Sequence, residues 1–157
     1  MYRRLIVLSL LMITVTGGVF AIRPVEPRDA GNVSSNRSVM IVSEWSRYKE
    51  NLIESLVEDL DDGRTAIFVR NFSDLPNVTA RDHDAIVVIN AGVGSEVRSP
   101  VVEWLNSQTY DDNIVVLTTQ IYDWTPQITV DSVTSASRNG NIPQVSSDLV
   151  RRVRSFL

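Results

Sequence analysis

The sequence predicts an α/β domain, a three-layer sandwich built on a five-stranded parallel sheet. Three observations predict it. Four short runs of branched apolar residues (39–42, 85–89, 113–117 and 130–133) each stop at a polar, glycine-rich or aromatic tip. Runs of this kind suit strands buried on both faces, as in parallel sheets covered by helices. Segments with one-sided apolar stripes lie between the runs, and this alternation implies right-handed crossovers. Five strands favour the order 2-1-3-4-5, with the switch point between the first and third strands.

The first strand is expected over residues 38–43, followed by a helix over 46–61. Tyr48, Leu52, Ile53, Leu56, Val57 and Leu60 form its apolar stripe, and Asp61, Asp62 and Gly63 end it. Residues 65–70 read as the second strand. Residues 71–84 contain Pro76 and many polar side chains, which predicts a loop with at most a short helix. The third strand spans 85–90. Ser99 followed by Pro100 predicts a helix with a serine cap and proline at its first position, ending near Asn106. The fourth strand spans 113–118. Residues 120–128 are too few and too rich in Thr and Pro for a crossover helix, so an irregular loop is expected. The fifth strand covers about 129–134. Asn141, Ile142 and Pro143 open the last helix, whose stripe is Val145, Leu149, Val150, Val153 and Leu157.

Three segments divide the chain: 1–21, 22–37 and 38–157. Tyr2, Arg3 and Arg4 make a basic start, and residues 5–20 are apolar and uncharged. Val19, Phe20 and Ala21 fit a small-residue cleavage site, so this is the pattern of a signal peptide with Ile22 as the mature start. The other reading is an uncleaved anchor, although the run is marginally short for a span and carries Thr14, Thr16, Gly17 and Gly18. Either reading places the domain outside the cytoplasm, periplasmic or secreted, with membrane contact only through this segment. Residues 22–37, with Pro24, Pro27, Gly31 and several Asn and Ser, read as a linker.

The chain has no cysteine, so the domain must be stable without disulfides, which about 120 residues allow. That also excludes a thiolate metal site and a cysteine nucleophile. Loss of Arg3 and Arg4 with the signal takes the net charge from −4 to about −6, which argues against nucleic acid as a partner. Arg151, Arg152 and Arg154 read as cations matched to a helix C-terminus.

Ligands of such sheets bind at the carboxyl ends of the strands, so the tips are the candidate site. The tips contain Ser43, Trp45, Ser46, Arg47 and Tyr48; Gly92 and Gly94; Thr118, Thr119, Tyr122 and Trp124; and Ser137.

Over residues 38–157 this set of tips resembles the flavodoxin-like family. Its members place a Ser/Thr-x-Thr-Gly-x-Thr loop after the first strand, which cradles the phosphate of flavin mononucleotide at a helix N-terminus. Here Ser43 fits the first position, Trp45 and Tyr48 replace threonines, and Ser46 replaces the glycine. The chain thus resembles a divergent, exported member with a degraded phosphate loop. Without the glycine the backbone approaches a phosphate less freely. Two readings stay open. Arg47, Ser46 and the Tyr48 hydroxyl hold an anion, or Ser46 simply caps the helix with Trp45 and Tyr48 packed beneath it. In the family, the loops after the third and fourth strands hold the isoalloxazine ring, often against aromatic side chains. Gly92, Gly94, Thr118, Thr119, Tyr122 and Trp124 occupy the matching loops. The alternative for Trp124 is closure of the core edge with Pro126.

A second motif runs from Asp131 through Ser132, Val133, Thr134, Ser135 and Ala136 to Ser137. It resembles the Asp-x-x-Ser/Thr-Gly-Ala-Thr/Ser signal of exported proteins that carry flavin mononucleotide on a hydroxyl through a phosphoester bond. The attachment point would be Ser137, and Ser135 stands where a glycine is usual. The alternative is a strand end followed by a turn at Arg138, Asn139 and Gly140.

Other chemistries fit poorly. His83 is the single histidine and precedes the third strand, at the edge opposite the tips, where a surface loop is expected; a serine hydrolase needs a histidine base. The acidic pairs Asp61–Asp62, Asp82–Asp84 and Asp111–Asp112 also precede strands and read as solvated turns rather than a metal site. Two functions are therefore expected. The first is an exported flavin-binding module that transfers electrons to a redox partner protein. The second is a cofactor-free accessory or binding domain that uses Trp45, Tyr48, Tyr122 and Trp124 as a recognition surface.

Overall fold

The computed structural model describes residues 24–94, 96–109, 111–120 and 128–157. The expected signal peptide, Tyr122, Trp124 and most of the expected irregular loop lie outside these residues. No helix among the described residues is long and apolar enough to cross a membrane.

The elements in chain order are β1 (Arg28–Gly31), β2 (Arg37–Ser43), α1 (Arg47–Leu60), β3 (Thr65–Asn71), β4 (Ala85–Ala91), α2 (Ser99–Ser107), β5 (Ile114–Gln120), β6 (Asp131–Ala136) and α3 (Ile142–Arg154). Short 3-10 turns over Phe72–Asn77 and Ala80–Asp82 join β3 to β4. Among the described residues the sheet has six strands, not the expected five, in the order β1-β3-β2-β4-β5-β6. All neighbouring pairs are parallel except β1 with β3.

The additional strand lies in the stretch expected as a linker. It carries no apolar periodicity because it is a short edge strand held by backbone pairing to β3. Val25, just before it, is fully buried, so the packed structure starts ahead of Ser38.

The branched runs explain the three layers. Along β4, Ala85, Val87 and Ile89 point to one face, and Ile86 and Val88 to the other. The first face packs on the stripes of α1 and α3, including Leu52, Ile53, Leu56, Leu149 and Val153. The second packs on α2 and the 3-10 turns through Val101, Trp104, Leu105, Leu75 and Val78. Period-2 alternation on both faces leaves no polar face to solvent, as parallel strands under helices require. Trp104 joins that core while its indole N–H donates to the Val78 carbonyl at 2.8 Å.

Helix ends follow local chemistry. The Ser46 hydroxyl accepts the Lys49 amide at 3.1 Å and caps α1. The cap position of α2 is Arg98, with Ser99 as the first helical residue, so the expected serine cap is displaced by one residue. Pro100 still falls in the first turn, where its missing N–H costs nothing. Arg151, Arg152 and Arg154 fill the last turn of α3 as expected. Asp61 and Asp62 accept the amides of Gly63 and Arg64 at 3.1 and 2.9 Å, as turn carboxylates do.

Candidate functional site

The carboxyl ends of β2, β4, β5 and β6 open into one cleft of about 760 Å³. Its wall includes Glu44, Trp45, Ser46, Tyr48 and Lys49 from the β2–α1 connection, and Ala91, Gly92 and Gly94 after β4. Thr119 and Gln120 come from β5, and Ala136, Ser137 and Arg138 from the end of β6. The cleft lies where the chain, having placed β3 on one side of β2, returns to place β4 on the other. The Glu44 amide donates to the Ile89 carbonyl at 3.2 Å and ties the two strand ends together.

Glu44 organises the floor of the cleft. Its Oε2 accepts the Lys49 ammonium at 2.8 Å and the Ala91 amide at 3.2 Å. Its Oε1 accepts the Arg98 guanidinium, which also lies 5.4 Å from the centre of the Phe72 ring. The Lys49 side chain is only 4 % exposed and that of Glu44 16 %. Burial pulls the Lys49 ammonium below its ordinary pKa of 10.5; the hydrogen bond and charge of Glu44 act against that pull, and the Arg98 charge acts with it.

The β4 tip is shaped by small residues. Val93 and Glu96 exchange backbone hydrogen bonds of 3.0 Å, and Gly94 between them has φ +60°, where a side chain would be strained. A Cβ on Gly92 would meet the Gln120 side chain at 2.0 Å, so glycine there makes room for Gln120. Gln120 Nε2 and the Asn90 Oδ1 just below are buried without a hydrogen-bond partner. The Asn90 amide nitrogen is used, donating to the Leu117 carbonyl and Thr118 Oγ1, each at 3.1 Å.

Known structures decide the fold. A metal-soaked Flv1 flavodiiron core from Synechocystis sp. superposes with TM-score 0.52 and 6% identity over 80% of this chain. A flavodoxin from the domain Archaea superposes with TM-score 0.52 and 10% identity, covering 76% of this chain and 98% of its own. The fold is flavodoxin-like. The chain spans only 37% of the flavodiiron core, which is the larger protein. No protein-family profile matches the sequence, and no curated protein matches it.

Within this flavodoxin-like frame the expected site residues divide. Trp45, Ser46, Tyr48, Gly92, Gly94, Thr119 and Ser137 share the cleft wall. Ser43 and Thr118 are fully buried at the strand ends, and the Ser43 hydroxyl donates to the Glu44 carbonyl at 2.8 Å. Arg47 borders a neighbouring groove of about 370 Å³ with Pro24, Glu26, Glu50, Asn51 and Glu54. One residue of helical phase separates it from Tyr48, enough to turn it off the cleft. Trp45 is 38% exposed and borders both the groove and the cleft. Tyr48 is buried, its hydroxyl 3.5 Å from Ser135 Oγ. Tyr122 and Trp124 lie outside the described residues. The motif from Asp131 coincides with β6, and Ser137 follows it, exposed at the cleft edge.

Sequence reasoning passed over Glu44, Lys49 and Arg98. Glu44 lies between Ser43 and Trp45 in the first tip, and a glutamate in a phosphate-type loop, with the chain's one lysine five residues on, was the available signal. His83 sits at the opposite edge of the sheet as expected, but half-buried. Its ring lies 5.8 Å from the Phe68 ring and its Nδ1 3.3 Å from Ser38 Oγ. Burial lowers its pKa from 6.5; the charges of Asp82 and Asp84 oppose the shift, and that of Arg70 adds to it.

Proposed function

We propose that this chain is a flavin-binding module that passes electrons to a partner protein. The observation that carries the reading is the cleft itself. It opens at the carboxyl ends of the strands in a flavodoxin-like fold, and Trp45, Gly92, Gly94 and Gln120 are among the residues that line it. A planar ring would stack on the Trp45 indole and meet the β4 tip beside Gln120, whose side chain fills the space over Gly92.

The residues present fit the ring of a flavin better than a phosphate at the α1 N-terminus. Ser46 Oγ already holds the Lys49 amide, and the Glu44 carboxylate occupies the adjacent corner. The phosphate of flavin mononucleotide would instead lie toward Ser137 and Arg138, which line the cleft after β6. There the Arg138 guanidinium would supply charge, and the exposed Ser137 hydroxyl would be the attachment point that its motif suggests. A bound flavin supplies the electron chemistry at its ring. The protein's part is to stack the ring, shield it from water and set the charge around it.

With the N-terminal segment read as a signal or anchor, this activity belongs outside the cytoplasm. The test is a spectrum of the protein purified from its native envelope. Bands near about 370 and 450 nm are expected from a flavin. If colour persists on denaturation and Ser137→Ala removes it, attachment is covalent. A colourless protein that also ignores added flavin sinks the reading and leaves the cofactor-free one.

A further inference from the structure

Three donors converge on one carboxylate at the cleft floor. The Lys49 ammonium and the Ala91 amide reach Glu44 Oε2 at 2.8 and 3.2 Å, and the Arg98 guanidinium reaches Oε1. A backbone N–H, an ammonium and a guanidinium aimed at one point are what a protein uses to bind a small oxyanion. Two cations against one carboxylate leave the group net positive. The Lys49 ammonium is almost wholly removed from water, so it depends on its anion.

We propose that Glu44 is a built-in anion: its carboxylate fills an oxyanion site formed by Lys49, Arg98 and the Ala91 amide, and so bars phosphate and carboxylate ligands from that corner. The carboxylate is tethered beside its donors. Its effective concentration is therefore far above that of any free anion, and a dissolved phosphate does not displace it. At the neighbouring α1 N-terminus Ser46 Oγ already accepts the Lys49 amide, one of the donors a phosphate would use. A ligand of this cleft must then be uncharged where it meets Glu44 and carry any phosphate elsewhere. Removing the Glu44 carboxylate takes away the hydrogen bond and charge that raise the Lys49 pKa and leaves Lys49, Arg98 and the Ala91 amide without their shared anion. A free oxyanion restores the balance. The inference rests on this corner and not on the flavin reading.

Thermal unfolding in sodium phosphate, against sodium chloride of equal ionic strength, tests it without any flavin. The wild type is expected to melt at the same temperature in both salts. Glu44→Ala should melt about 3 °C or more higher in phosphate, through binding that favours the native state. Glu44→Gln, which keeps the side chain in place, should respond less. Adding Lys49→Met to Glu44→Ala should abolish the rise. A wild-type response equal to that of Glu44→Ala overturns the proposal, as does a Glu44→Ala protein that melts alike in both salts. If Glu44→Ala folds only in phosphate, the proposal holds. If it folds in neither salt and Glu44→Gln is insensitive to phosphate, the proposal fails.

Discussion

The Lys49 ammonium lies 2.8 Å from Glu44 Oε2, and neither side chain is more than 16% exposed. Removing one partner of a buried pair strands the other, which costs far more than the pair itself contributes. Glu44→Gln, which leaves the buried Lys49 ammonium without its anion, should therefore lower unfolding free energy by about 3 kcal/mol in urea denaturation. Lys49→Met leaves Glu44 its Arg98 and Ala91 donors and should cost less. The double variant Glu44→Gln/Lys49→Met should lose less than the sum of the single changes. Additive losses would show that the two side chains do not act as a pair.

His83 gives a pH signature at the other end of the sheet. Its folded pKa is depressed below 6.5, chiefly by burial. The unfolded state therefore binds the proton first as pH falls through 6.5 toward the folded value. Stability should fall across that window on acidification and recover on return. His83→Gln should flatten that part of the pH profile. An unchanged slope would place the ring in solvent.

The parts of this fold legible in the sequence are those written in period and branching. Ile86, Val87 and Val88 alternate between two cores, and a fully apolar run is the only pattern that serves both faces. The stripe of α1 was equally plain because Leu52, Ile53 and Leu56 share one face. β1 was not legible: Arg28, Asp29, Ala30 and Gly31 pair with β3 through the backbone, and the ion pairs of Arg28 with Glu50 and Asp29 with Arg70 join residues far apart in sequence, so neither leaves a local apolar pattern. The cleft aromatic Trp45 and the glycines were readable as strand-end residues. The role of Lys49 was not, because a lysine in the first turn of a helix normally reaches solvent. Only the carboxylate of Glu44, brought across by the β2–α1 connection, lets it stay buried.

Gly92 is sized by Gln120. Gly92→Ala would put a Cβ 2.0 Å from Gln120 Nε2 and 2.6 Å from its Cγ, so the side chain must move. The expected loss is about 1–2 kcal/mol, measured by urea unfolding. Gln120→Ala in the same chain should restore most of it. Absence of rescue would mean that the strain falls on the backbone instead.

Trp45 should matter to ligand far more than to folding. Stacking on an aromatic face contributes about 1 kcal/mol, so Trp45→Ala should weaken flavin binding about 5-fold. Its thermal stability should shift little, because a residue 38% exposed carries little of the core. A large stability loss with unchanged binding would make Trp45 a packing residue.

The most direct measurement is an equilibrium titration of the purified domain, freed of any bound flavin, with riboflavin and with flavin mononucleotide, followed by quenching of flavin fluorescence. Saturable 1:1 binding with a Kd of about 1 µM or tighter for at least one of them, weakened by Trp45→Ala, is the predicted result. Fluorescence of both flavins left unchanged by up to about 100 µM protein would contradict the flavin reading of the cleft.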